Sequence, residues 1–313
     1  MTKPTGARIV RRAPLYYAAG ADLATDRPAH VRAGSGLACV GRRLAVVQDD
    51  ANWLALVDPE TLHVDALALP PGPGGVRLFG EDRGNKADKL DLEAAATLPD
   101  GRLLLVGSGS TPARCCWVVV DPASGTVDVQ DQSSVYRQLA AMPGFCGAEL
   151  NLEGAVVHAG RLYLAQRSNG RQLGPQPRRD ALVWLPASVV DGAACDWTGV
   201  ACHPLPSIGD LAGVRLTLTD LCTRGDELWF AAAAEDSPDA YHDGEVTGSA
   251  VGVWTVNSAV AVPITDAKGE VVPVKVEGIA WPPWLPGRCF VVVDHDSVEK
   301  PAELLELEVT WDS

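Results

Sequence analysis

Five short segments each carry one polar residue at a matching place: Ser35 in GSGLACV, Glu93 in LDLEAAA, Glu153 in LNLEGAV, Thr219 in LTLTDLC and Glu277 in VKVEGIA. The flanking residues are aliphatic and small, and only Thr219 is followed by another polar residue, Asp220. A carboxylate inside a segment built for burial costs several kcal/mol unless something pairs with it. If the five segments are strands in one register, period-two alternation turns all five side chains to one face. Three carboxylates brought that close cannot all stay ionised without compensation. A hard cation with oxygen ligands supplies it. With no histidine in the set, Ca2+, which accepts six to eight oxygens at flexible geometry, suits it better than Zn2+ or Mg2+. The expected metal ligands are therefore Ser35, Glu93, Glu153, Thr219 and Glu277. The competing expectation is that the glutamates bind backbone amides and water.

The loops beside these segments are rich in groups that could act on a substrate. Asp49 and Asp50 close one segment, Arg167 another, and Asp294-His295-Asp296 a third. A carboxylate near a metal can orient or deprotonate water, and Arg or Lys can bind the oxygens of a phosphate ester. The expected roles are Asp49 or Asp50 on water, Arg167 with Arg83 or Lys86 clamping substrate, and His242 or His295 as the acid. Two long loops, 171–180 and 235–249, add Arg171 and Tyr241 as substrate contacts. Against each stands the reading that Asp, Asn and Ser here only satisfy turn backbones. Neither a Walker loop nor a GxSxG elbow is present.

The elements that must position these residues repeat. VKVEGIAWPPWLPGRCFVVVDHD has counterparts at 34–50, 90–110, 150–170 and 216–236, each a short strand, a Gly-containing turn and an apolar strand. Third strands follow, such as WLALVDPETL, CWVVVDPASG, ALVWLPASVV and VGVWTVNSAV. Anchored on the five polar residues, the pitches are 58, 60, 66 and 58 residues. A four-stranded unit with apolar faces cannot bury itself alone, so radial closure follows. The expected fold is all-β, a five-bladed β-propeller forming one domain over 1–313, with units starting near 34, 90, 150, 216 and 274. A six-bladed ring competes, but no sixth copy is found. RIVRRAPLYYA at 8–18 is an orphan strand, and pairing it into the last blade would close the ring and remove an edge.

With those residues in view, the chain resembles the calcium-activated nucleotidases, or apyrases. That family is five-bladed, with a central calcium held by Ser, Glu, Glu, Ser and Glu in chain order. Here the order is Ser35, Glu93, Glu153, Thr219, Glu277, with Thr in place of one Ser. The wording SGL and VVQDD, LEAAA and VGSGS, EGA and AQR, and KVEGIA is similar as well. A second resemblance is to bacterial phytase-like or esterase-like propellers, which usually have six blades.

A formal charge of −14 and a pI near 4.8 disfavour nucleic acid and anionic membrane as partners. The N-terminus lacks a continuous apolar core and no stretch of about 18 apolar residues occurs, so a cytoplasmic location is expected. The eight cysteines form neither CxxC nor a zinc spacing and read as buried small hydrophobes. Three functions follow: a calcium-dependent hydrolase of a phosphorylated or anionic small molecule, a metal-dependent lactonase or esterase, or a binding propeller with a structural calcium.

Overall fold

The computed structural model describes residues 3–146, 149–168, 180–236, 244–255 and 258–312. The chain is mostly β. An N-terminal strand β1 (Pro4–Pro14) precedes β2 (Gly34–Val40), β3 (Arg43–Gln48), β4 (Trp53–Val57) and β5 (Val64–Ala68), which pair in chain order as one sheet. β6 (Leu92–Thr97), β7 (Leu103–Gly107), β8 (Cys116–Asp121) and β9 (Thr126–Asp131) form a second sheet. After a helix α1 (Ser133–Ala141), β10 (Leu152–His158), β11 (Arg161–Gln166), β12 (Ala181–Pro186) and β13 (His203–Pro204) form a third. The remaining strands are β14 (Asp210–Leu211), β15 (Val214–Arg224), β16 (Glu227–Asp236), β17 (Glu245–Thr255), β18 (Ser258–Thr265), β19 (Lys275–Ala280), β20 (Cys289–Asp294) and β21 (Glu303–Trp311). They join β1 in a nine-stranded sheet of order β14-β15-β16-β17-β18-β1-β21-β20-β19.

β1 is the link within that sheet. It runs antiparallel along β21 from Pro4↔Trp311 to Pro14↔Glu303, and meets β18 in parallel only at Ala7↔Ile264 and Arg8↔Thr265.

The second strands read as continuous apolar runs, as in LLLVG of β7 and FVVV of β20, because both faces are covered there and alternation has no solvent side to express, whereas the outer β9, TVDVQD, is mostly exposed. Apolar clusters fill the space between β2–β5 and β6–β9, then between β6–β9 and β10–β12. Further clusters lie between β10–β12 and β15–β17, between β15–β18 and β19–β21, and between β19–β21 and β2–β4. The first strands touch in a closed cycle, β2 to β6 to β10 to β15 to β19 and back to β2. Their backbones come close: a Cβ on Gly278 would stand 2.7 Å from Leu37 Cβ. Hairpin chemistry is local, as at Ala159-Gly160, where both residues have positive φ in the two-residue loop joining β10 to β11.

The sequence reading lacked α1. Its apolar residues Val135, Tyr136 and Leu139 lie on one face and are buried against the cluster between the second and third sheets, and the Tyr136 hydroxyl donates to Gly107 O at 2.6 Å. No helix among the described residues is long and apolar enough to cross a membrane.

Candidate functional site

Each strand of the inner cycle breaks register once, at Gly34/Gly36, Leu92/Ala94, Leu152/Gly154, Leu218/Asp220 and Val276/Gly278. The residue left without a ladder partner is in turn Ser35, Glu93, Glu153, Thr219 and Glu277. A bulge bends the strand and re-aims the extra side chain, so these five positions are equivalent. Four of them, Ser35, Glu93, Glu153 and Glu277, line one cavity of about 470 Å3. Thr219 does not. It is fully buried and its hydroxyl donates to Val276 O at 2.7 Å, while Ser35 donates to Leu92 O at 2.6 Å. Both hydroxyls stitch neighbouring inner strands. Asp220 does the same with its carboxylate, accepting from Leu221 N at 2.8 Å and Ile279 N at 2.9 Å.

The residues two places before the bulges supply a second tier. Ala33, Asp91, Asn151 and Lys275 line the same cavity, and Thr217 accepts from Arg167 Nε at 3.0 Å. The second strands end beside this tier, which places Asp49, Arg167 and Asp294 in the wall: Asp49 N donates to Ala33 O, Arg167 N to Asn151 O, and Asp294 pairs with Lys275.

Two charge clusters result. In the first, Lys89 Nζ lies 2.5 Å from Asp49 and 2.6 Å from Asp91, and Arg114 Nη1 lies 2.8 Å from Asp91. One ligand oxygen each from Asp49, Asp91 and Glu93 falls within 4.8 Å of the others, so this trio could hold a metal ion. Burial pushes the Glu93 carboxyl well above the usual range, helped by Asp91 and Asp49. Burial would raise Asp91 too, but Lys89 and Arg114 outweigh it and hold its carboxyl low. Asp91 also has positive φ, 55°, a conformation a non-glycine residue keeps only where its surroundings enforce it. Next to this cluster Arg32 pairs with Asp50, whose carboxyl burial and Asp49 push up to about 7.

In the second cluster Arg167, 3% exposed, reaches Glu235 at 2.9 Å and both Glu153 and Glu277 at 3.5 Å. Lys275 Nζ lies 3.4 Å from Glu277 and 2.9 Å from Asp296. Asn151 donates to Glu153 Oε1 at 2.6 Å. Burial pushes Glu153 up to about 8, because it exceeds the pull of Arg167. It raises Glu277 against Lys275 and Arg167, and Asp294 still further. Glu277, 4% exposed, has no hydrogen-bond partner on either oxygen.

Of the expected catalytic and substrate groups, Asp49, Asp50, Arg167 and Lys86 line the cavity with the glutamates. His295 is turned to Glu303 at 2.9 Å, and Arg83 pairs with Asp26 at 3.2 Å in a half-exposed setting; neither is in the cavity wall. Arg171, Tyr241 and His242 lie outside the described residues. The sequence reading omitted Asp91, Lys275, Arg32 and Arg114. The first two were within reach, since both stand two residues before a ring glutamate.

Sheets closing on a polar axial cavity define a β-propeller, and one solved structure supports that fold: glutaminyl cyclase of Myxococcus xanthus is similar at TM-score 0.53 and 14% identity, covering 98% of this chain and 97% of that one. Weaker similarities, at TM-scores of 0.44 and 0.38, are to virginiamycin B lyase of Staphylococcus aureus, 8% identical over 96% and 99% of the two chains, and to a putative gluconolactonase, 11% identical over 89% and 75%. No curated protein sequence matches. The chain belongs to the Family of unknown function (DUF6929), whose family model matches residues 30–309.

Proposed function

We propose that the chain is a single propeller domain of five blades, the fifth closed by β1, and that its axial cavity is the active site of a calcium-dependent hydrolase of small neutral esters or lactones. The closed cycle of inner strands and the apolar clusters between successive sheets support the count, and the long antiparallel seat of β1 on β21 supports the closure.

Glu153 carries the chemical reading. A carboxyl pushed up to about 8 holds its proton at neutral pH and releases it close to there, the condition a general acid or base needs. Asn151 and Arg167 fix its two oxygens, and Arg167 is itself fixed by Thr217 and Glu235. Asp49, Asp91 and Glu93 would hold the calcium: the three donors are oxygens, with no His or Cys among them, which suits a hard cation. Bound calcium polarises a carbonyl oxygen.

The charge of the wall selects the substrate. Eleven acidic and six basic side chains line the cavity among the described residues, and each of the six is already paired with a carboxylate. An anionic phosphate would have to displace one of those carboxylates from its cation, so the pairing favours a neutral substrate over the anionic one suggested by the sequence.

The test is a panel of nitrophenyl esters, lactones and phosphomonoesters assayed after chelation and again with calcium restored. Turnover of the neutral substrates is expected with calcium only, falling about a hundredfold or more in Glu153→Gln. Turnover of phosphomonoesters alone, or ester turnover indifferent to chelator, overturns the proposal.

A further inference from the structure

We propose that Lys89 is a tethered cation that competes with the divalent ion for the Asp49, Asp91 and Glu93 oxygens, so that ion binding expels its ammonium from the site. The inference rests on the reading of that trio as a metal site, and it concerns what occupies the trio when no ion does.

The geometry leaves little room for both. Lys89 Nζ contacts Asp49 and Asp91 at 2.5 and 2.6 Å, and its side chain is 9% exposed. A calcium ion bonds carboxylate oxygens at roughly 2.3–2.6 Å. An ion on the same two oxygens would therefore meet the ammonium at contact distance in a site with little water, where like charges repel strongly. Arg114 holds the other oxygen of Asp91, Oδ2, at 2.8 Å, so Lys89, on Oδ1, is the group that must yield. A second observation bears on this cavity: in the same wall the buried carboxylate of Glu277 has neither oxygen hydrogen-bonded and is held only by ion pairs from Oε1 to Lys275 at 3.4 Å and Arg167 at 3.5 Å, which leaves Oε2 to face a ligand.

Lys89 is also placed so that its departure is felt. It lies in the connection between β5 and β6, just after a single 3-10 turn at Lys86–Asp88. Phe79, Gly80, Glu81, Asp82 and Lys86 of the same connection form part of the cavity wall. Moving the ammonium out pulls on a segment that shapes the site, so exchange of a monovalent internal cation for a divalent external one couples the ion to the wall that a substrate meets.

Two measurements test this on the full chain. Calcium chloride is titrated calorimetrically into chelator-treated wild type and Lys89→Met, with magnesium chloride as control. In parallel, wild type is labelled with acetic anhydride and Lys89 acetylation is read by mass spectrometry with chelator and with calcium. Lys89→Met is expected to bind calcium about tenfold or more tightly than wild type, and Lys89 is expected to be protected in chelator and labelled in calcium. Equal affinities overturn the competition while leaving the trio a metal site. Binding by neither protein removes the metal reading and this inference with it. If Lys89→Met does not fold, the labelling decides: Lys89 protected while calcium binds refutes its expulsion.

Discussion

Glu153→Gln tests the central carboxyl through stability as well as activity. In the folded protein Glu153 titrates near 8, against an ordinary value of 4.5. Between those pH values the folded state keeps a proton that the unfolded chain has lost, so wild-type stability falls as pH rises, by about 1.4 kcal/mol for each pH unit at the limit. Below 4.5 both states are protonated and the effect is absent; above about 8 it is complete. The bound on the total is about 5 kcal/mol, with the pull of Arg167 already contained in the raised value. Gln keeps the acceptor for Asn151 and removes the titration. Urea unfolding of both proteins in chelator, followed by tryptophan fluorescence at pH 5 and pH 8.5, should show the variant gaining on wild type by a few kcal/mol over that span. Parallel pH dependences would refute the buried-acid reasoning, and with it the case for Glu153 as the proton carrier.

Arg167→Met takes away the buried guanidinium that touches Glu153, Glu235 and Glu277. It should cost about 3–5 kcal/mol in urea unfolding at pH 8. The loss should shrink toward pH 5 as the orphaned carboxyls take up protons; a loss below about 1 kcal/mol at pH 8 would show that Lys275 alone suffices. Gly278→Ala puts a methyl 2.7 Å from Leu37 Cβ and 2.8 Å from Leu37 N, where β19 and β2 meet. A drop of about 1–3 kcal/mol in stability is expected from overpacking, and an unchanged urea midpoint would mean that the inner strands separate freely.

The repeat and the polar register were legible because they rest on short-range pattern: a Gly turn, two apolar strands and one polar residue near a fixed pitch. What the pattern could not carry is the bulge. Alternation predicts that a side chain and the one two places earlier share a face, and Asp91 and Lys275 do so with Glu93 and Glu277. Ser35 and Thr219 show why register alone is insufficient: at a bulge each short hydroxyl donates to the neighbouring strand's carbonyl at 2.6–2.7 Å, and of the two only Ser35 still borders the cavity that all three glutamates line.

Compensation was harder still to read. A ring of three glutamates in sequence implies a missing positive charge, and an external ion is the economical guess when only the ring is in view. The structure brings Lys89 and Arg114 to one side and Arg167 and Lys275 to the other, from four different connections and strand ends. Lys89 and Lys275 each stand two residues before a carboxylate they pair with, Asp91 and Glu277, but Arg114 and Arg167 reach their acids from separate repeats that no short spacing links. Their presence changes the physical question from which ion the carboxylates need to whether an ion can outcompete cations the chain already holds there, and calcium must do so against an ammonium that pays no cost of capture from solution.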